Sequence, residues 1–560
     1  MEKNKKRVRR GGSDFVTQGS ILAVAGIIVR LIGMLYRIPL TNIIGDEGIG
    51  YYSSAYTIYS TMLIVSSYSM PVAVSKMIAI RLARGEYRNS VRVLKTALAY
   101  ATLAGGLMAM VMWFGADTIA GMMNMPYASF ALKTLAPTIW IMAYLGVLRG
   151  YFQGHGTMIP TAFSQIIEQI INAVISVTAA LSLFNYGLKA NLVYDTTEYS
   201  FAYGAAGGTI GTGAGALAAL VVFLLLMLAY RPIMRKQARR DQSRIRETYP
   251  QITRIMFFTI VPIVVSSTIY NISTLLDNGV YGQVMGKLGQ TETIASTWGI
   301  YAGRYHMLFN IPVAIANSLS SSLIPSLSSA AAGGSRREMR TKIDTAVRFS
   351  MLIAIPSAAG LMALAEPISN LLFRGMDNTA LVRLLWYGSS AVVVFSLSTV
   401  TNAVLQGLNH MQRPIINASI ALVLHLIFLY VMLAVFHLGI DGVLYANILF
   451  ALIICILNGI SIKNLVAYRQ EMKRTFIIPL ISSAIMGVLC RLLFFGIYNP
   501  LQPVLGPGKS NLIAALIAIL AAVLVYGICM LKFGGLNREE LENLPKGRML
   551  AGIAAKLHLI

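Results

Sequence analysis

The chain has 560 residues, 56% hydrophobic and only 12% charged, with a net charge of +24 and a mean hydropathy of +0.66. A soluble domain carries about 25% charged residues, so a water-soluble globular protein is excluded and a polytopic membrane protein is expected. No period-two alternation runs through the chain, which argues against an outer-membrane barrel. The excess of positive charge is tempting as a nucleic-acid footprint, but it sorts by loop, as the positive-inside rule expects.

The first ten residues are basic, like the start of a signal peptide, but the apolar run from Phe15 to Leu40 is too long for a signal core and reads as a first span. From there fourteen helices are expected, near 15–40, 50–80, 93–115, 130–152, 158–184, 202–230, 254–284, 294–328, 345–365, 380–407, 414–436, 441–462, 475–497 and 510–532. Taking alternate connecting segments as cytoplasmic, beginning with the N-terminus, assigns most of the 46 lysines and arginines to one side. That bias predicts both termini inside. The organisation expected is a basic N-terminus (1–14), an N-lobe of six helices (15–230), a basic linker (231–253), a C-lobe of six helices (254–462), a further helix pair (475–532) and a cytoplasmic tail (533–560).

The two halves echo each other. Pro71-Val72-Ala73 recurs as Pro312-Val313-Ala314, Ala116-Asp117-Thr118-Ile119 resembles Ala365-Glu366-Pro367-Ile368, and Gln153-Gly154 recurs as Gln406-Gly407. Six spans per repeat is an even number, so both copies enter from the same side. Parallel repeats of this kind place a transport site between the halves.

A few polar residues fall inside these apolar stretches, where a charge costs roughly 2.5–3.5 kcal/mol even on a lenient scale. Arg30 and Arg37 are two helical turns apart on one face of the first span. Arg304 enters the eighth span at comparable depth. Guanidinium groups stay charged and grip phosphate oxygens in pairs, so these three arginines suit a diphosphate headgroup. Glu168 sits on a wet stripe with Ser164, Asn172 and Ser176. Either it pairs with an arginine, or burial favours its neutral form and it cycles a proton. Asp277 follows Asn271 and Thr274 and either binds a cation or neutralises an arginine. Asn402 and Gln406, with Thr399, could contact sugar hydroxyls or join helices through hydrogen bonds. Cys455, Cys490 and Cys529 show neither disulfide nor metal spacing. His306, His410, His425 and His437 have no ligand spacing, and the glycine-rich run from Gly204 to Gly215 lacks the ending of a phosphate-binding loop and reads as close helix packing.

Gly45-Asp46-Glu47-Gly48-Ile49-Gly50-Tyr51, Met70-Pro71-Val72-Ala73-Val74-Ser75-Lys76, and Arg149-Gly150-Tyr151-Phe152-Gln153-Gly154 with Ser164-Gln165-Ile166-Ile167-Glu168-Gln169 together resemble the multidrug/oligosaccharidyl-lipid/polysaccharide (MOP) exporter superfamily. The resemblance is to its polysaccharide-transporter branch, which includes SpoVB, YtgP and the MurJ-type lipid II flippases. It implies an all-α membrane protein of fourteen helices, in two six-helix lobes around a central cavity, with helices 13 and 14 forming a groove for a polyprenyl tail. It also implies a transporter rather than an enzyme, multi-pass in a bacterial cytoplasmic membrane. The implied substrate is an undecaprenyl-diphosphate-linked oligosaccharide, with lipid II foremost, moved by alternating access. Another lipid-linked glycan or a cation-coupled export of drugs stands as the alternative, and a membrane glycosyl- or acyltransferase as a remote one. Arg30, Arg37 and Arg304 match the family's cavity arginines, with the first pair one residue further apart than usual, and Asp277 resembles an acid near a proposed cation site. Lys76 stands in the span where the family carries a further arginine, and Asn172 where close relatives often carry one. The expected partners are the lipid-linked substrate and membrane lipids, with no nucleic acid, for a monomer. No cofactor is expected, and drive comes from membrane potential, Na⁺ or H⁺.

Overall fold

In the computed structural model, residues 22, 24–239, 241, 243 and 246–536 are described, and the side chains of 266, 270, 319, 321, 322 and 325 are not. The expected basic N-terminus, most of the cytoplasmic tail and part of the basic linker therefore lie outside the described residues. The described residues form helices joined by short turns, with no strand among them. In hydrocarbon every backbone N–H and C=O must be paired within the chain, and a helix does this segment by segment. The all-α polytopic class expected from the sequence is the class observed.

Eleven described helices or helix runs are long and apolar enough to cross a membrane. Their relation to the fourteen expected spans is direct. The short apolar helix α1 (Val24–Leu35) is the described part of the first span. The eighth span falls on α11 (His306–Ala332), a serine-rich helix that is not among the eleven. The last two spans are fused in α18 (Ile478–Lys532), where Gly506 breaks the helix at φ 76°, ψ 163°. Gly45 likewise breaks α2 (Arg37–Leu63) at φ 68°, ψ 179°. Only glycine takes such angles without a steric penalty, and Gly45 falls in the segment expected to turn between the first two spans.

The chain divides into two compact units, Met1–Gly299 and Ile300–Ile560. In the first, α3 (Met70–Ala83), α4 (Tyr87–Tyr100) and α5 (Gly106–Met122) are followed by the long helices α6 (Ala128–Gly154), α7 (Ile159–Tyr194), α8 (Glu198–Arg239) and α9 (Tyr249–Lys287) and the short α10 (Thr291–Trp298). One apolar core gathers Met70, Val74 and Ile78 of α3, Leu145 and Leu148 of α6, Phe223 of α8 and Met256 of α9. The glycine-rich run lies in α8, where a methyl group on Gly207, Gly211 or Gly215 would strike the α7 backbone or Ser176. Those glycines let the two helices approach closely, as small residues do in membranes. The start of α9 is fixed by a capping box, Thr248 N–H donating to Gln251 Oε1 at 2.9 Å.

The second unit contains α11, α12 (Arg336–Ala363), α13 (Ala365–Leu372), α14 (Thr379–Gly388), α15 (Ser390–Gly407), α16 (Gln412–Ala434), α17 (Gly439–Val466) and α18. The stretch expected as one span over 380–407 is two helices, interrupted at Ser389. Tyr305 holds that junction by donating to Gly388 O at 2.8 Å. A polar ladder crosses α15, α16 and α17: Asn458 Nδ2 donates to Asn402 Oδ1 at 2.7 Å, and Asn417 Nδ2 donates to Asn458 Oδ1 at 2.8 Å.

Candidate substrate-handling site

Within the first unit, polar side chains of α2, α6 and α7 converge. Arg37 opens α2, with its guanidinium carbon 5.8 Å from the centre of the Tyr56 ring, a cation–π distance. Tyr52 stacks on Tyr56 at 5.9 Å and accepts or donates a hydroxyl contact with Tyr36 at 3.1 Å. Tyr56 and Tyr59 tilt against one another at 5.6 Å. Tyr56 lies within electrostatic reach of both Arg37 and Glu168, and Glu168 also reaches Tyr59 and Tyr68.

Glu168 is held from α6. Arg149 donates to its Oε2 at 2.6 Å, and the same guanidinium lies 3.3 Å from Ser164 Oγ. Arg149 is buried and Glu168 half-buried. Of the two states open to Glu168 from sequence, this geometry has it paired with an arginine. Sequence reasoning did not select Arg149, because it falls in the last turn of the expected 130–152 span and was counted with the connection that follows. The run Arg149 to Gly154 beside the Ser164–Gln169 stripe was the available signal. Two turns along α7, Ser176 Oγ lies 2.9 Å from Asn172 Oδ1 and 2.7 Å from Gly208 O, so the stripe continues to α8.

The remaining candidates divide between the units. Arg30 is exposed on α1. Asp277 is buried in α9, one turn before Tyr281, whose ring stacks on Trp298 at 5.7 Å. Arg304 belongs to the second unit, in a π-helical segment (Gly299–Tyr305) ahead of α11. Its side chain is fully buried, 4.6 Å above the Phe373 ring, and donates to Asp377 O at 3.1 Å and to Asn378 Oδ1. Asn402 takes part in the polar ladder, and Gln406 is half-buried one turn further along α15. Thus Arg37 and Glu168 share one strip with Tyr56 and Arg149, while Asn402 and Gln406 share a helix.

Two further features of the first unit were not anticipated. Tyr51 presents its hydroxyl 3.0 Å from Glu47 Oε1 and 2.6 Å from Glu198 Oε2, linking α2 to the start of α8. At the same end, α10 and the last turns of α9 lock onto α2 and the α5–α6 turn. Asn124 Nδ2 donates to Gly282 O at 2.9 Å. A methyl group on Gly50 would collide with the Ala295 carbonyl, and one on Gly299 with the Asp46 carbonyl.

Eleven described helices or helix runs long and apolar enough to cross a membrane, with a charge pair and tyrosines among them and proline inside several helices, define a multi-pass membrane protein. The family model described as polysaccharide biosynthesis protein matches residues 15–331, and the chain belongs to this family. Among its relatives in Bacillus subtilis, the uncharacterized membrane protein YabM is 26% identical over 546 residues, 96% of each chain. The lipid II flippase MurJ is 24% identical, over 94% of this chain and 98% of that one. Among solved structures, lipid II flippase MurJ in an inward closed conformation matches with a TM-score of 0.62 at 14% identity, covering 91% of this chain and 98% of that one. An inward-facing MATE-family multidrug resistance transporter of the MOP superfamily matches at 0.61 and 17%, covering 81% and 98%.

Proposed function

We propose that the protein is a flippase that carries an undecaprenyl-diphosphate-linked oligosaccharide, foremost the peptidoglycan precursor lipid II, from the inner to the outer leaflet by alternating access. A polar headgroup does not cross roughly 30 Å of hydrocarbon unaided. The observation that carries this reading is the strip Arg37–Tyr56–Glu168–Arg149, which offers fixed charge and hydroxyls at membrane depth. In this reading Arg30, Arg37 and Arg304 bind the diphosphate, Asn402 and Gln406 contact sugar, and the tail lies against helices 13 and 14, the two parts of α18. Glu168 and Asp277 couple transport to H⁺ or Na⁺, or the membrane potential supplies the drive at about 2.3 kcal/mol per charge per 100 mV.

The protein acts as a monomer in the bacterial cytoplasmic membrane, with both termini inside, as the lysine and arginine distribution supports. Each Pro-Val-Ala copy follows a π-helical segment, Ile64–Tyr68 before Pro71 and Gly299–Tyr305 before Pro312, which supports the repeat. If the second repeat begins with α9, the lock of α9 and α10 onto α2 is a closed gate on the outer side, and loading occurs from the inside.

The test is lipid II flipping by the purified protein in vesicles. Arg30→Ala, Arg37→Ala and Arg304→Ala are each expected to abolish most of the flipping; flipping at the unsubstituted rate in all three would overturn the assignment. A second reading, a different lipid-linked glycan, is favoured by the absence of arginine at Lys76 and Asn172. Identifying the lipid-linked intermediate that accumulates when the protein is depleted separates the two.

A further inference from the structure

A cavity of about 290 Å³ lies in the second unit where α13 and the turn into α14 meet the bend of α18. The basic start of α12, with Arg336, Arg337, Arg340 and Lys342, is at one end of that helix, and α13 follows its other end. By the positive-inside rule the cavity therefore faces outward. Trp386, Tyr387 and Phe495 are exposed large aromatics; Phe495 lines the cavity, and Trp386 lies against Arg491 one turn before it. This is the belt chemistry of a membrane–water boundary.

The lining has a definite character. Tyr498 stacks on the buried Phe494 at 5.4 Å with only 13° between the rings, forming a flat platform. Phe494 packs into a core with Leu364, Cys490 and Ala514, so the platform is fixed. Three amides surround it: Asn370 and Asn378, joined at 2.8 Å, and Asn511, whose Nδ2 donates to Pro367 O at 2.9 Å. Arg374 and Glu366 are both exposed at the rim and cancel in charge. The cavity between α12 and α18 at the basic end differs, having Arg348 and Arg474 against Asp344. A net-positive lining selects anions, whereas the neutral, amide-rich lining with an aromatic floor does not.

We infer that the α13–α18 cavity is a saccharide-binding site. A pyranose ring has an apolar C–H face, which packs on an aromatic ring. Its hydroxyls are each donor and acceptor and pair with amides, carboxylate and guanidinium. A small number of convergent polar groups on an apolar floor is the ordinary make-up of a small-molecule site. The assignment rests on the cavity's own side chains and stands apart from the flippase reading.

The experiment is saturation-transfer NMR on the full-length protein in detergent micelles, with N,N′-diacetylchitobiose, maltose and glycerophosphoethanolamine as separate probes. At least one of the two saccharides is expected to show transfer, strongest at the ring C–H protons. Tyr498→Ala is expected to weaken binding about tenfold, and Tyr498→Phe to retain it. Asn370→Ala, at an exposed position that leaves the core intact, is expected to weaken it as well. Absence of transfer to both saccharides, or equal binding by Tyr498→Ala and Asn370→Ala, overturns the site. Transfer to glycerophosphoethanolamine alone also overturns it and marks a lipid-headgroup pocket.

Discussion

Arg149 of α6 donates to Glu168 of α7 at 2.6 Å, with 10% and 22% of the two side chains exposed. This pair belongs to the same strip as Arg37 and Tyr56. Removing one member leaves the other charge in a poorly hydrated place. Arg149→Met is therefore expected to destabilise the folded protein by about 3 kcal/mol, while the double variant Arg149→Met/Glu168→Leu recovers most of that loss. Thermal unfolding in detergent measures both. A double variant as unstable as the sum of the singles would mean that the two residues do not act as a pair.

At the opposite end of the same unit, Gly50 and Gly299 let backbone approach backbone. Gly299→Ala is expected to push α10 away from α2 and to expose Ile49, which is now buried. Alkylation of an Ile49→Cys protein by a membrane-impermeant maleimide, in a background lacking the three native cysteines, should rise when Gly299→Ala is added. Unchanged alkylation would show that the contact tolerates a methyl group.

Arg304 ties the turn before α14 to the segment ahead of α11. Arg304→Lys keeps the charge but loses the forked donation to Asp377 O and Asn378 Oδ1. The expected cost is about 1.5–3 kcal/mol, together with faster amide exchange over residues 373–379. If exchange there is unaltered while lipid II flipping falls, the arginine acts on substrate and not on the turn.

Asp241 offers a pH test outside the membrane. Partial burial raises its pKa, but the Ser243 hydroxyl at 2.6 Å and the backbone N–H groups of Ser243 and Arg88 outweigh that, and the carboxyl is held below its ordinary value. A depressed carboxyl contributes stability that is complete above its unfolded pKa of about 4 and disappears as pH falls through the lower folded value. Protease cleavage of the 240–248 segment should therefore accelerate below about pH 4. Asp241→Asn should show the fast rate at neutral pH, and equal cleavage of the two proteins at pH 7 would sink the link.

Much was legible from the chain alone. Hydropathy marked the spans because a bilayer admits only helices whose backbone is internally paired. The glycine-rich run from Gly204 to Gly215 read as close packing because small residues have that use between membrane helices, and α7 lies on it. What sequence left open was which polar residues meet. Glu168 was visible as a charge in an apolar stretch, yet Arg149 was assigned to a connection, because the end of a helix cannot be fixed from hydropathy to within a turn. Arg304 was legible as a charge at depth, but Phe373, Asp377 and Asn378, which cradle it, lie about seventy residues away. The residue pattern thus determined the class, the spans and the list of polar side chains, since these depend on local transfer energies. Only the tertiary structure decided their pairing and the cavity beside α18, since these depend on distances between helices remote in sequence.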